Sequence, residues 1–160
     1  MNTNITLKGK VAILMMGAPG SGKSFVATKH YGSYKVLDAD KIKESHADYD
    51  PKNPSVLHEW SAKVLEEQFQ EAIVKDESFV LDGTGANSDK MIRRINEVRA
   101  HGFKVALVYV VVALKTSLAR NAARTRVVPE YVVIEKYNEV NISFNNVAPH
   151  VDQIIVINND

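Results

Sequence analysis

Gly17-Ala18-Pro19-Gly20-Ser21-Gly22-Lys23-Ser24 satisfies the pattern G-x-x-x-x-G-K-[ST] at every defined position. Glycines at this spacing let the backbone curl until successive N–H groups point at one anion. A helix that follows adds unpaired N–H groups and the positive end of its dipole. In such a loop Lys23 reaches the β- and γ-phosphates of a nucleoside triphosphate, and Ser24 ligates Mg²⁺. ATP and Mg²⁺ are therefore the ligands expected of residues 17–24.

A phosphate loop alone does not separate hydrolase, kinase and switch. Phosphoryl transfer to an acceptor also needs charge neutralisation, in-line geometry and a group that takes the acceptor's proton. Asp40 is the candidate general base, with helix capping as its other reading. Asp38 is either that cap or an outer-sphere Mg²⁺ ligand. Asp82 either holds a Mg²⁺-bound water or binds the acceptor, unless it only forms an Asp-Gly turn. Thr84 either bonds the acceptor or serves the same turn.

Arg120, Arg124 and Arg126 cluster around the end of a helix, and planar guanidinium groups suit phosphate oxygens. Arg124 and Arg126 adjoin Val127-Val128-Pro129 and are the candidates for a lid over the γ-phosphate. Arg120 is placed beside the adenine. Lys41 and Lys43 face either an anionic acceptor or solvent. Arg93 and Arg94 read as a solvated face, Trp60 as core, and Glu66 and Glu67 as surface. The five histidines show no metal-ligand spacing.

The elements that must position these groups follow from hydrophobic patterning. Val11–Met16 is an unbroken apolar run, as in a strand buried on both faces. Phe25–His30 carries a short helix, with Gly32 as a left-handed cap. Strands are expected at Tyr34–Asp38, Ser78–Asp82, Phe103–Ala113 and Gln153–Ile157. Residues 44–55 read as a loop. From Ser55 a helix presents Leu57, Trp60, Val64, Leu65, Phe69, Ala72 and Ile73 on one face and stops near Asp76. A second carries Met91, Ile95 and Val98, capped by Asn87 or Ser88 and ended by Gly102. Ala113–Arg124 continues as a helix. Pro129 opens the last one, with Val133, Tyr137, Val140 and Phe144 inward, and Pro149 breaks it. Alternating strands and helices predict a single α/β domain with a five-stranded parallel sheet covered on both faces. Ligands then lie at the C-terminal edge of the strands, where the phosphate loop, Asp38, Asp40, Asp82 and Thr84 collect.

Composition sets the outer bounds. The chain has 160 residues, 45% hydrophobic and 24% charged, with net charge +1, which fits one globular domain over 1–160 with a short tail at 1–9. That charge is no nucleic-acid or membrane signature. The absence of cysteine excludes disulfides, thiolate metal sites and cysteine nucleophiles. No apolar run is long enough for a membrane span, and no signal core precedes residue 10, so a cytoplasmic enzyme is expected. A homo-oligomer through an edge strand or an exposed helix stays open.

Taken together, these segments resemble a group of small P-loop kinases that includes phage-type polynucleotide 5′-hydroxyl kinases and zeta-toxin kinases. The resemblance spans roughly residues 10 to 145. Val36-Leu37-Asp38-Ala39-Asp40 is similar to their second-strand motif, whose second acid activates the acceptor hydroxyl. Lys43 stands where polynucleotide kinases hold the acceptor phosphate with Arg. Leu81-Asp82-Gly83-Thr84-Gly85 resembles the Glu-Gly-Thr-Gly segment of zeta toxins. Glu66 falls where those carry a further substrate-contacting acid. Residues 118–129, with Tyr137 beyond, resemble the polynucleotide kinase lid, the lid being placed around 120–130. Arg124 and Arg126 also match the two lid arginines of zeta toxins. The resemblance implies a three-layer P-loop kinase fold and ATP-dependent transfer to a hydroxyl. The compact chain and the short gap from Arg126 to Pro129 favour a 5′-hydroxyl of DNA or RNA, or a hydroxyl on a modified nucleoside or base. The alternatives are a UDP-amino sugar, as for zeta toxins, and a nucleotide-binding switch or ATPase with no hydroxyl transfer.

Overall fold

In the computed structural model, residues 2–53, 55–124 and 127–160 are described. The five strands are β1 (Val11–Met16), β2 (Lys35–Asp38), β3 (Phe79–Asp82), β4 (Lys104–Val111) and β5 (Gln153–Asn158). All pair in parallel, in the order β2-β3-β1-β4-β5. The helices are α1 (Lys23–Tyr31), α2 (Ala39–Glu44), α3 (His58–Val74), α4 (Ser88–Ala100), α5 (Leu114–Ala122) and α6 (Glu130–Val147), with a 3₁₀ turn at Ala148–His150.

Every residue of β1 is buried, because its neighbours β3 and β4 flank it and both sheet faces are covered. On one face Leu14, Met16, Phe79 and Leu107 meet α3, α4 and α6 through Phe69, Ile95 and Val140. On the other, Ile13, Met15 and Val108 meet α1 through Val26, Ala27 and Tyr31. Covering both faces leaves alternate residues of β1, β3 and β4 nowhere polar to point, which is why these strands read as continuous apolar runs, whereas the edge strand β5 alternates and exposes Ile154 and Val156.

Four expectations need correcting. Gly32 sits in right-handed helical space (φ −65°, ψ −15°), so no left-handed cap ends α1. Residues 2–8 are no loose tail: Ile5 and Leu7 pack on the α1-side core, and the Thr6 N–H donates to Gln153 Oε1 at 3.0 Å. Trp60 is 38% exposed and lies in the first turn of α3, which begins at His58. There Trp60 meets the His46 ring edge-on. Arg94 is not a solvated residue but packs its guanidinium over the Phe69 ring, 4.6 Å from the centroid.

Phe79 is fully buried between Phe69 and Phe103, with ring centroids at 5.6 and 5.9 Å. Phe79→Ala empties that space and should cost about 3–5 kcal/mol, read as a lower urea midpoint at unchanged slope.

Candidate functional site

The strand ends and the phosphate loop meet at the C-terminal edge of the sheet. β1 delivers the loop, and the Gly17 N–H donates to Thr84 O at 3.1 Å, tying it to the loop after β3. Gly20 (φ +79°) and Gly22 (φ +82°) adopt left-handed backbone, and a Cβ at Gly20 would sit 2.6 Å from the Ser117 carbonyl oxygen. Glycine is therefore required there by both conformation and space. α1 starts at Lys23 with no side-chain cap, so its first N–H groups remain available to a ligand.

A collar of side chains fixes the loop from behind. Arg120 donates from Nη1 to the Gly20 and Ser21 carbonyls (3.4 and 3.3 Å) and from Nη2 to Asn159 O (2.7 Å). Asn159 Nδ2 donates to Ser21 O at 2.8 Å, and the Ser117 hydroxyl donates to Pro19 O. In a planar trans peptide C=O and N–H point opposite ways. Pinning the Ser21 carbonyl from behind thus aims the Gly22 N–H forward. Arg120, expected beside adenine, has its guanidinium engaged with three backbone carbonyls.

Asp82, at the end of β3, has only 1% of its side chain exposed. Ser24 Oγ donates to its Oδ2 at 2.8 Å, and Lys23 Nζ lies 3.6 Å from Oδ1. Oδ1 is buried without a hydrogen bond among the described residues. A hydroxyl beside a carboxylate with an unmet oxygen is the donor set a hard divalent cation takes. Ser24 and Asp82 thus fit Mg²⁺.

Asp38 lies directly beside Asp82 in the β2–β3 register. Its Oδ1 accepts the Asp40 N–H at 2.9 Å, so Asp38, not Asp40, is the N-cap of α2. Burial pushes its carboxyl up to about 6, and the charges of Asp82 and Asp40 push the same way. The hydrogen bond from Asp40 and the charge of Lys23 pull it down.

Two cavities open here. One, of ≈ 330 Å³, runs along residues 18–24 and reaches Asp40, Thr84, Arg120, Arg124 and Val128. The other, of ≈ 380 Å³, lies between β3, α3 and α4, with Asp38, His58, Leu65, Met91, Lys90 and Arg94 in its walls. Lys23, Asp40 and Thr84 line both.

The remaining candidates divide. Thr84 serves the turn as well, its Oγ1 accepting the Ala86 N–H at 3.3 Å. Lys43 is buried and lines neither cavity; its Nζ lies 3.3 Å from His58 Nδ1. Arg124 is exposed at the rim of the loop cavity, and Arg126 lies outside the described residues. Glu66 stands on the surface, paired with Arg94 at 3.1 Å.

Sequence reasoning missed four residues of the site. Buried Asn121 clamps the far side of the arginine segment, donating from Nδ2 to Val128 O (2.6 Å) and accepting the Val128 N–H (3.1 Å). Asn159 is the second, and Lys90 and His58 complete the set. Only Lys90 had a usable signal, its i,i+4 spacing to Arg94 on one face of α4.

The zeta toxin family model matches residues 2–160. No match was found among the curated proteins. Among solved structures, a chain of the PezAT chromosomal toxin-antitoxin system of Streptococcus pneumoniae superposes with a TM-score of 0.67 at 16% identity, over 98% of this chain and 71% of that one. A chain of the AvrRxo1-ORF1:AvrRxo1-ORF2 complex gives 0.66 at 19% identity, over 88% and 50%. One from the Pnkp1/Rnl/Hen1 RNA repair complex gives 0.68 at 14%, over 91% and 48%. This chain spans about half the length of the last two.

The Asp38 shift makes a pH prediction. The folded state holds this proton more tightly than the unfolded chain, whose carboxyl titrates at 3.8. The Asp38 contribution to stability therefore falls as pH rises from about 4 to about 6. Asp38→Asn keeps a competent cap and removes the buried charge. Its Tm should exceed that of the unsubstituted protein at pH 7.5, and the gap should close near pH 4. A gap independent of pH contradicts the assignment.

Proposed function

We propose that this chain, which belongs to the zeta toxin family, transfers the γ-phosphate of ATP to a hydroxyl on a small molecule of the nucleotide-sugar class, as on a UDP-amino sugar. Family membership makes it a kinase; the acceptor and the residue roles are our reading. The observation that carries it is the pair of cavities sharing Lys23, Asp40 and Thr84 as a common wall. A hydrolase needs one ligand cavity opening on water; a kinase needs two that meet at the transferred group.

In this reading the loop N–H groups and the start of α1 hold the phosphates, and Lys23 leans from Asp82 to the β- and γ-oxygens. Ser24 and Asp82 would hold Mg²⁺, whose charge would offset that of the phosphates. Asp40 accepts the hydroxyl proton as the acceptor oxygen bonds to the γ-phosphorus and the bond to the bridging oxygen of ADP breaks. Arg124, at the rim of the loop cavity, balances charge on the transferred group.

The acceptor choice rests on size and family. A cavity of ≈ 380 Å³ falls in the range of small-molecule sites. The gap between Arg126 and Pro129 that favoured a polynucleotide end is outweighed by a zeta toxin match over residues 2–160.

Asp40→Asn should lower transfer by about 10²–10⁴-fold and leave ATP affinity unchanged. The experiment offers γ-labelled ATP and Mg²⁺ with UDP-amino sugars, nucleosides and 5′-hydroxyl DNA and RNA. Label is expected in the sugar nucleotide and lost with Asp40→Asn. Label in an oligonucleotide alone overturns the acceptor class, and phosphate release without acceptor labelling overturns the transfer reading.

A further inference from the structure

The second cavity is polarised. The wall beside the phosphate loop carries the carboxylates of Asp38, Asp40 and Asp82 with one cation, Lys23, paired to Asp82, and the α4 wall carries Lys90 and Arg94 with no carboxylate among the lining residues there. We propose that Lys90 and Arg94 form an anion subsite that holds a phosphate or carboxylate on the acceptor while its hydroxyl lies at Asp40. The proposal rests on the reading of this cavity as the acceptor site and adds a charge requirement to it.

Arg94 is built in rather than draped over the surface. Only 12% of its side chain is exposed, and its guanidinium is stacked on Phe69. Its single hydrogen bond among the described residues runs from Nη1 to Glu66 Oε2 at 3.1 Å. Glu66 is itself held by Gln70, whose Nε2 donates to Glu66 Oε1 at 2.9 Å and to Glu97 Oε2 at 2.6 Å. A guanidinium has five donors in a rigid fork. Glu66 takes one, Phe69 covers a face, and Arg94 is among the residues lining the cavity. Such a pinned fork loses little conformational freedom on binding, so it suits a planar or tetrahedral anion.

Lys90 adds the second charge. It stands one turn, about 6 Å along the axis, before Arg94, and both line the cavity beside Met91. Its backbone N–H donates to the capping Asn87 at 3.0 Å, which fixes the start of α4. Its side chain makes no ion pair among the described residues. Glu66 offsets part of the Arg94 charge, leaving the pair with a net positive field across the cavity from three carboxylates. Those carboxylates would repel an anion placed at the wrong end, so the polarity also fixes which way round the acceptor enters.

The test loads the enzyme with Mg²⁺ and a non-hydrolysable ATP analogue, so that the phosphate loop is filled, and titrates UDP-N-acetylglucosamine and N-acetylglucosamine by calorimetry. UDP-N-acetylglucosamine should bind, and Lys90→Met and Arg94→Met should each weaken it roughly tenfold or more, as expected for loss of a charge-assisted hydrogen bond. Arg94→Lys should recover part of the loss. The uncharged sugar should bind far more weakly and respond to neither change, and analogue affinity should stay constant throughout. Lys90 is exposed, so its variant separates loss of binding from loss of fold. Equal binding of the charged probe by both variants, equal binding of charged and uncharged probes, or no binding of the charged probe overturns the subsite. Phosphoryl transfer that persists while the variants bind normally sinks this inference alone. Charge-dependent binding with no transfer to any acceptor sinks the acceptor reading and leaves an anion site.

Discussion

Everything at the C-terminal edge of the sheet is arranged around the buried carboxylate of Asp82. A charge out of water is tolerated only when opposite charge and hydrogen bonds compensate it. Here the compensation is Lys23 at 3.6 Å and Ser24 at 2.8 Å, two neighbours from the phosphate loop. The same contact that makes Asp82 affordable therefore sets the position of the loop's lysine and hydroxyl. It also has a consequence for the adjacent strand: with Asp38 in register with Asp82, two carboxylates share one small volume, and Asp38 holds its proton to about pH 6. The sheet brings like charges together, and a phosphate-binding lysine and a divalent cation are what such a cluster is suited to receive.

The loop is rigid for a different reason. Its carbonyls are held by residues far away in sequence, Arg120 and Asn159, while Thr84 takes the Gly17 N–H. Because these bonds lie behind the cradle, the forward-facing N–H groups are oriented before any phosphate arrives. Preorganised donors avoid reorganisation during the reaction, which is where much catalytic electrostatics comes from. Asn121 does the equivalent work for the arginine segment by bridging to Val128. The phosphate loop and Val128 are thus held by the same helix, α5, through Ser117, Arg120 and Asn121.

The parts that were legible in the sequence are those with local signatures. The phosphate loop, the five apolar strands, the carboxylates at two strand ends and the Gly102 stop each follow from residues adjacent in the chain. Strand order has no such signature, since it records which distant segments pair. The collar is invisible for the same reason: Asn159 reaches Ser21 across almost the whole chain, and a lone Asn near the end of a sequence looks like a loop residue. Trp60 has the spacing of the α3 stripe, yet the helix begins only two residues earlier and its first turn leaves the residue 38% exposed. A lysine after a strand-end acid suggests an acceptor contact or solvent, and spacing carries no signal for the burial of Lys43 beside His58. Arg94 resembled a solvated residue because charge alone does not reveal an aromatic ring beneath it.

The central claim is that ATP and acceptor meet directly across the wall formed by Lys23, Asp40 and Thr84, with no covalent phosphoenzyme between them. Stereochemistry at phosphorus tests this most directly. With ATP made chiral at the γ-phosphorus by oxygen isotopes, one in-line transfer predicts inversion of configuration in the phosphorylated product. Retention would require two successive displacements through a phosphorylated side chain, and would contradict the account.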